Sequence, residues 1–217
     1  MVESRLLKKD LFGEIRVVTC GDDVRLIRDA SVARPGLRWL ARRLLQREAR
    51  ALAALDGLDG FPALLVVNGD RLERRFIAGM PMQRARPRDP RYFKAAAALL
   101  RRLHRACIVH NDLAKEPNLL VTNDGQPAFV DFQLAWHTQG RGRLFRLLAH
   151  EDLRHLLKHK RSYCPELLTR RELAILANPS WPSRIWMRTI KPLYLLVTRR
   201  LLGWADREGA GDRGEPH

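Results

Sequence analysis

Residues 110–135 read HNDLAKEPNLLVTNDGQPAFVDFQLA, and three polar side chains stand out in this stretch. Asp112 and Asn118 fall in an irregular loop, and Asp131 ends a short apolar strand. The turn residues at 123–125 (Asn-Asp-Gly) predict a hairpin that returns Asp131 to the side of Asn118. An amide oxygen and a carboxylate placed together suit Mg²⁺, which takes one or two protein oxygens beside phosphates and water. Asp112 lies nearby, where a carboxylate can accept a proton from an attacking hydroxyl.

The order of these residues resembles the catalytic loop and the metal-binding strand of the protein-kinase-like superfamily. The usual pattern there is His-Arg-Asp, then an Asn, then Asp-Phe-Gly. Here it reads His110-Asn111-Asp112, Asn118 and Asp131-Phe132-Gln133. The resemblance implies that Asp112 is the catalytic base, that Asn118 and Asp131 hold Mg²⁺, and that ATP is the phosphoryl donor. The other interpretation is a capped loop beside a hairpin.

The first third of the chain predicts a small β-sheet with one helix. Short β-type runs are separated by turns containing Gly or Asn, and one long basic segment has apolar residues at helical spacing. The predicted strands are 14–19, 24–28, 62–67 and 71–77, and the predicted helix is 37–55. We therefore expect an N-terminal lobe, residues 1–78, which the resemblance makes the nucleotide-binding lobe.

Beyond residue 78 the pattern becomes mainly helical. The predicted helices are 90–106, 142–160, 169–177 and 184–203, with a short β region at 119–122 and 128–131. We expect a C-terminal lobe over residues 79–204 and a polar, Gly-rich tail, residues 205–217, that is disordered. The fold class is then α+β: a two-lobed, protein-kinase-like fold with a small antiparallel sheet lobe, a mainly helical lobe and a cleft between them.

The resemblance also implies which residues bind ATP. Arg28 ends the strand VRLIR and Glu48 lies on the long helix, so we expect them to pair and to position the α and β phosphates. Arg75, Phe76 and Ile77 resemble the hinge whose backbone binds adenine. Two plainer interpretations remain open: Glu48 as an exposed partner of nearby arginines, and 75–77 as an ordinary strand end.

Several residues depart from the superfamily pattern. Arg28 stands where Lys is usual, Asn111 replaces the Arg of His-Arg-Asp, and Gln133 replaces the Gly of Asp-Phe-Gly. Only Gly13 and Gly21 lie near the first strands, so the Gly-rich phosphate loop is missing, and the catalytic loop is one residue longer than usual. These departures motivate an alternative function: a pseudokinase that acts as a nucleotide-binding or scaffold module at the inner membrane surface.

Three features of the helical half have competing interpretations. By resemblance, Asp152 is the buried helix aspartate that braces the catalytic loop, and the alternative is a simple charge at a helix N-terminus. Cys164-Pro165-Glu166 is interpreted as a turn between helices rather than as an Ala-Pro-Glu motif. His155 and His159 have the i, i+4 spacing of a zinc pair, but we expect no metal there because no third ligand has suitable spacing.

The short segment after Asp131 is similar to that of the atypical bacterial kinases. These include the lipopolysaccharide-core kinases, which act on heptose or Kdo, and the RIO-like serine/threonine kinases. The resemblance implies transfer of the γ-phosphoryl group of ATP to a hydroxyl of a protein Ser or Thr or of a lipopolysaccharide sugar. It covers roughly residues 10–175 and is most specific over 110–133.

Net charge is the most unusual property of the composition. Forty Lys and Arg against 24 Asp and Glu give a formal charge of +16, which favours phosphate-bearing or anionic partners. No nucleic-acid recognition motif is present, so nucleic acid is not expected as a partner. Three scattered cysteines and the lack of a secretion signal predict a cytoplasmic protein, soluble or peripheral on the inner membrane. The sequence carries no signal for an oligomeric state.

The segment 185–204 mixes basic, aromatic and apolar residues. Such a segment can lie on an anionic membrane surface or pack as a C-terminal helix on the large lobe. We favour the packed helix.

Overall fold

The structure is a computed structural model that describes residues 2–178. The predicted helix 184–203, the basic aromatic segment 185–204 and the tail 205–217 lie outside the described residues.

Five antiparallel strands form the N-terminal sheet, in the spatial order β1-β2-β3-β5-β4. They are β1 (Val2–Asp10), β2 (Gly13–Cys20), β3 (Asp23–Asp29), β4 (Leu64–Asn68) and β5 (Arg71–Arg75). The last four lie where the sequence predicts them. Strand β1 was not predicted, because charges interrupt its apolar residues. It is an edge strand that pairs only with β2 and keeps most of its side chains exposed. Because it has no buried face, apolar and polar residues do not have to alternate along it.

Helix α1 (Arg38–Ala53) packs against this sheet, as its apolar spacing predicts. Its first half buries Ala41 and Leu45 beside Leu72 of β5. Its last turns bury Leu52 in the larger core of the C-terminal half, where Phe61 and Leu99 also lie. Because one helix contributes to both apolar cores, α1 connects the sheet with the rest of the molecule.

The C-terminal half is mainly helical, with short strands around its loops. Its elements are β6 (Gly79–Pro81), α2 (Met82–Ala85), α3 (Pro90–Arg105), β7 (Ile108–Val109), β8 (Leu119–Thr122), β9 (Pro127–Phe129), β10 (Trp136–His137), α4 (Arg143–Tyr163) and α5 (Arg170–Ala177). Helices α3, α4 and α5 and the β8–β9 hairpin lie where they were predicted. The missed elements, β6, α2, β7 and β10, have at most four residues, too few for a periodic pattern.

Local sequence explains where these helices start and end. Asp89 caps α3 by accepting a hydrogen bond from the Arg91 amide at 2.8 Å, and Pro90 occupies the first turn. A short 3-10 turn at Pro165–Leu167 separates α4 from α5, which confirms that Cys164-Pro165-Glu166 is a turn between helices.

A group of aromatic rings fixes the strand that leads to Asp131. Phe129 and Phe132 are fully buried, and Phe61 packs edge-on against both, with centroids 6.2 and 6.0 Å away. Since the residues on both sides of Asp131 are anchored in the core, its backbone position is set by packing.

No helix within residues 2–178 combines the length and the apolar character required to cross a bilayer.

Gly13 provides a test of the sheet. Its φ is +133°, and a β-carbon there would collide with the carbonyl oxygen of Asp29. We expect Gly13→Ala to lower the free energy of unfolding by about 2 kcal/mol or more, measured by urea denaturation. Gly21→Ala is the matched control: its φ is +60°, but nothing lies within 4 Å, so we expect a cost of about 1 kcal/mol. Equal costs for the two variants would contradict the close approach at Gly13.

Candidate active site

The loop that carries Asp112 is held from behind by Asp152. Asp152 lies within α4, far from its N-terminus, and is 1% exposed. Its carboxylate accepts hydrogen bonds from the backbone amides of His110 at 2.8 Å and Asn111 at 2.9 Å. Asp152 therefore braces the loop, as predicted, and is not a helix-terminal charge.

Two residues beside the site have a left-handed backbone. Asn111 and Asp131 both have φ of +64°. Asn and Asp adopt this region more readily than other non-glycine residues, because their short side chains can bond locally. The side chain of Asn111 also donates to the carbonyl of Leu134 at 3.0 Å. The residue that replaces the usual Arg thus links the loop to the segment after Asp131.

Asp112 lies in this loop with two side-chain donors on its carboxylate. Oδ2 accepts from the Asn118 amide at 3.0 Å and lies 3.2 Å from the Lys115 ammonium. Asn118 also donates to the Asp112 carbonyl at 2.9 Å. Burial raises the pKa of Asp112 above its ordinary value, although the charge of Lys115 acts in the opposite direction. Such a carboxylate is oriented, largely shielded from water, and more basic than a free Asp.

The hairpin brings Asn118 and Asp131 together, as the sequence predicts. Strands β8 and β9 pair Leu119 with Phe129, and the amide of Val130 donates to the Asn118 carbonyl at 3.0 Å. The carbonyl of Val130 in turn accepts from Nε2 of His110 at 3.1 Å, which assigns the proton of this imidazole to Nε2.

The donor atoms at this point fit a magnesium ion bound with a nucleotide. The Asp131 side chain is 37% exposed. Burial raises its pKa, but Arg28 and Arg74 outweigh this effect, so the pKa lies below the ordinary value and the carboxylate is ionised at neutral pH. The amide oxygen of Asn118 accepts no hydrogen bond from the described part of the chain. Residues 2–178 contain no cluster of three or more His, Cys, Asp or Glu that could hold a metal. Phosphate oxygens would therefore have to complete the ligand set.

Glu48 is buried between two arginines. It is 0% exposed, with Oε2 3.1 Å from Nε of Arg28 and Oε1 3.2 Å from Nε of Arg74. The N–H bonds are not aligned with these oxygens, so both contacts are ion pairs rather than directed hydrogen bonds. The predicted Arg28–Glu48 pair is present, and the interpretation of Glu48 as an exposed residue is wrong.

Arg74 is the residue of this cluster that the sequence analysis missed. On β5, Leu72 and Arg74 are buried while Arg71 and Arg75 are exposed, so Arg74 occupies an inward position. Burial lowers its pKa, and the charge of Glu48 partly opposes this effect. Side chains alternate between the two faces of a strand, so the sequence already places Arg74 on the same face as the apolar Leu72. A cation on that face was the feature that could have indicated a buried arginine.

Arg28 also contacts Asp131, which follows β9. Its Nη2 donates to Oδ1 of Asp131 at 3.5 Å. With the Gln133 amide oxygen oriented toward Arg28, as the guanidinium donors require, it accepts from Nε at 3.2 Å and from Nη2 at 3.1 Å. Arg28 and Gln133 are two of the departures from the superfamily pattern, and they contact each other. A guanidinium has more donors than an ammonium, and Gln supplies an acceptor that Gly lacks.

Of the predicted hinge residues, Arg75 ends β5, and Phe76 and Ile77 lie between β5 and β6. The amide of Arg75 donates to Ala63 at 2.8 Å and that of Phe76 to Val24 at 3.0 Å, so neither amide is available for a ligand. Ile77 makes no backbone hydrogen bond within residues 2–178. Of the three predicted residues, Ile77 alone keeps the free backbone donor that an adenine contact needs.

A tight turn occupies the place of the Gly-rich loop. It joins β1 and β2 through residues 11 and 12, and the amide of Phe12 donates to the Asp10 carboxylate at 2.8 Å. Phe12 packs on the core of the sheet. The described chain thus lacks a loop of free glycine amides over the site, as the sequence predicts.

Helix α4 also supports the loop between Asp112 and Asn118. Nε2 of His159 donates to the Leu113 carbonyl at 2.7 Å, and the Tyr163 hydroxyl donates to Glu116 at 2.7 Å. His159 therefore supports the loop from α4.

The comparisons with known proteins identify the fold. No protein-family model matches the sequence, and no curated protein matches it. Among solved structures 1502 chains match, so the fold is too widely shared to select a substrate. One match is the crystal structure of the Rio2 kinase from Chaetomium thermophilum, with a TM-score of 0.58 and 15% identity over 78% of this chain and 59% of that chain. This chain thus spans less than two thirds of the length of that kinase.

The predicted fold class is confirmed by this match. The chain has a protein-kinase-like fold, with a small antiparallel sheet lobe and a helical lobe. Its placement in the lipopolysaccharide-kinase or RIO-like branch stays a prediction.

The ion cluster around Glu48 yields a stability prediction. Glu48→Ala leaves two buried guanidinium groups without their carboxylate, and we expect a loss of about 3–5 kcal/mol in the free energy of unfolding. Replacing Arg74 by Leu in the same variant should recover part of that loss, because one uncompensated charge is removed. Urea denaturation of both variants measures this. Glu166→Ala, at an exposed carboxylate, is the control, with an expected change within about 0.5 kcal/mol.

Proposed function

We propose that this chain is a kinase that transfers the γ-phosphoryl group of ATP, with Mg²⁺, to an alcohol. The observation that carries the proposal is Asp112. Its shielded carboxylate contacts Asn118 and Lys115, in a protein-kinase-like fold. The same loop places Asn118 beside the segment that leads to Asp131.

Asp112 is the proposed base. A hydroxyl placed at its carboxylate would donate its proton to Asp112 as it attacks phosphorus. The raised pKa brings the basicity of the carboxylate closer to what proton transfer near neutral pH requires. Asn118 and Lys115 keep the carboxylate in one orientation, so little reorganisation is needed.

Asn118 and Asp131 are the proposed magnesium ligands. Both offer oxygen atoms, and the ionised state of Asp131 is maintained by the neighbouring arginines. Bound with ATP at these residues, Mg²⁺ would neutralise part of the negative charge on the phosphate groups.

Arg28 is the proposed phosphate-binding cation. Glu48 and Gln133 hold its guanidinium beside Asp131, where it can contact phosphate oxygens with more than one N–H group. Ile77 is the proposed backbone contact for adenine.

The acceptor is proposed to be a Ser or Thr hydroxyl of a protein or a sugar hydroxyl of a lipopolysaccharide. The charge of +16 supports an anionic acceptor. A cytoplasmic location, soluble or peripheral on the inner membrane, belongs to the same proposal.

A second candidate function is a pseudokinase, and one observation favours it. Arg28 contacts Asp131, the same carboxylate that the metal requires, and the turn at Phe12 replaces the loop that usually covers the phosphates. An arrangement of this kind can bind a nucleotide with little turnover and act as a scaffold.

The Asp112→Asn variant tests the kinase proposal. Asn cannot accept the hydroxyl proton, so we expect transfer from γ-labelled ATP to fall by about a hundredfold or more. Lipopolysaccharide and a generic protein substrate serve as acceptors, and Asp124→Asn, in the exposed β8–β9 turn, is the matched control. Undiminished transfer by Asp112→Asn would remove Asp112 from the mechanism.

Thermal melting separates the two candidate functions. A ligand that binds the folded state raises the melting temperature by mass action. Stabilisation by ATP with Mg²⁺ together with transfer supports the kinase, and the same stabilisation without transfer to any acceptor supports the pseudokinase. No stabilisation by ATP with Mg²⁺ would contradict the kinase and a nucleotide-binding pseudokinase, and would favour a scaffold that binds no nucleotide.

The pH dependence of transfer provides an independent prediction. The base must be ionised, so transfer should be lost as the pH falls through the raised pKa of Asp112. Lys115 lowers that pKa, and Lys115→Met should therefore move the acid limb of the pH–rate profile to higher pH. An acid limb that stays in place, or moves to lower pH, would contradict the assignment of Asp112 as the base.

A further inference from the structure

A second cleft lies beside the candidate active site, between α1 and α4. It has a volume of about 640 Å³. Arg43, Arg47 and Arg50 of α1 line it together with Trp136 of β10 and Leu144 and Leu148 of α4. None of the elements of the proposed phosphoryl transfer, Arg28, Asp112, Asn118 or Asp131, lines this cleft.

The arginines of this cleft are not balanced by carboxylates. Their spacing of i, i+4 and i+7 places them on one face of α1. Arg47 donates to the backbone carbonyls of Leu134 and Ala135, each at 3.2 Å. Within residues 2–178, the side chains of Arg43 and Arg50 make no hydrogen bond or ion pair, and no acidic residue lines the cleft.

Two other arginines on the same helix show the contrast. Arg38 and Arg42 both pair with Asp70 in the β4–β5 turn. Arg43 and Arg50 face the cleft instead, and Arg47 lies between them in sequence. Three like charges on one wall of a concave surface concentrate positive potential there and attract an anion.

Three apolar side chains, Trp136, Leu144 and Leu148, and two uncharged polar residues, Gln46 and Asn111, complete the lining. The Leu144 side chain is 57% exposed, and Leu148 and Trp136 are partly exposed. A phosphate ion would use the arginines only, whereas a molecule with a phosphate at one end and a hydrocarbon part at the other would use both walls.

We propose that this cleft binds a phosphate-bearing amphiphile, with the phosphate on Arg43, Arg47 and Arg50 and the hydrocarbon part on Trp136, Leu144 and Leu148. Arginine binds phosphate through several charge-assisted hydrogen bonds, so the headgroup selects this wall. The inference goes beyond the proposed phosphoryl transfer and does not depend on it, since none of Arg28, Asp112, Asn118 and Asp131 lines the cleft.

Calorimetric titration of the full chain tests the proposal with three probes. They are dihexanoyl phosphatidic acid below its micelle concentration, dihexanoyl phosphatidylcholine, and inorganic phosphate. We expect phosphatidic acid to bind most tightly. Inorganic phosphate should bind at least about tenfold more weakly, because it makes no contact with the apolar residues. Phosphatidylcholine should bind more weakly than phosphatidic acid, because its headgroup is neutral overall. Inorganic phosphate binding as tightly as phosphatidic acid would contradict the proposal that the ligand is an amphiphile.

Variants assign the binding to the cleft. Arg43→Gln with Arg50→Gln should weaken phosphatidic acid binding by at least about tenfold, since charge-assisted hydrogen bonds are removed. Arg91→Gln with Arg101→Gln removes the same charge from exposed positions on α3, outside the cleft, and should leave the affinity within about twofold. Trp136→Ala should weaken binding of phosphatidic acid but not of inorganic phosphate. Melting curves establish that each variant is folded.

Three further outcomes would overturn the proposal. One is no binding of phosphatidic acid by the wild-type chain. Another is an equal loss of affinity in the cleft variant and the α3 control, which would indicate a general charge effect. The third is an oligothymidylate that binds through Arg43 and Arg50 and that phosphatidic acid does not displace, which would assign the cleft to nucleic acid. Failure here leaves the Asp112→Asn transfer assay unaffected, so the two proposals are tested separately.

Discussion

The buried carboxylate of Glu48 is the constraint on which the arrangement of the site depends. An ionised group with no exposed surface needs cationic partners, because its lost hydration is not otherwise compensated. Glu48 has two, Arg28 from β3 and Arg74 from β5, so helix α1 is tied to two neighbouring strands of the sheet. Holding Arg28 in this way also directs its remaining donors to Asp131 and Gln133.

The other half of the site is held by a separate set of bonds from α4. Asp152 fixes the backbone of His110 and Asn111, and His159 fixes that of Leu113. Asp112 therefore lies in a loop whose position is set by buried partners. The two halves meet where Arg28 contacts Asp131 and where Arg47 holds the segment just after it. A change in the position of α1 would therefore shift Asp131 and the segment after it through these contacts.

The sequence predicted most of this arrangement where a pattern was long or chemically specific. The helices α1, α3, α4 and α5 follow from apolar periodicity, and the β8–β9 hairpin follows from its Asn-Asp-Gly turn. The hairpin alone places Asp131 beside Asn118. Strand β1 could not be predicted, because an exposed edge strand has no buried face and so no alternation to detect.

Contacts between distant residues could not be predicted where neither a local pattern nor the superfamily resemblance specifies them. Arg74 appears in the sequence as one of several arginines, and only the pairing of β3 with β5 shows that it faces Glu48. Arg28 and Gln133 were each recognised as departures from the superfamily pattern. Their contact spans 105 positions of sequence, and no local pattern could reveal that one accommodates the other. For a related reason, the sequence could not show that the amides of Arg75 and Phe76 donate to the carbonyls of Ala63 and Val24.

The most direct test of the proposed site is a crystal structure with Mn²⁺ and a non-hydrolysable ATP analogue, with the metal located by anomalous scattering. We expect one strong anomalous peak about 2.1–2.2 Å from oxygens of Asn118 and Asp131, with the phosphates in contact with Arg28. A nucleotide bound with its metal elsewhere, or a peak without Asp131 among its ligands, would contradict the proposed site.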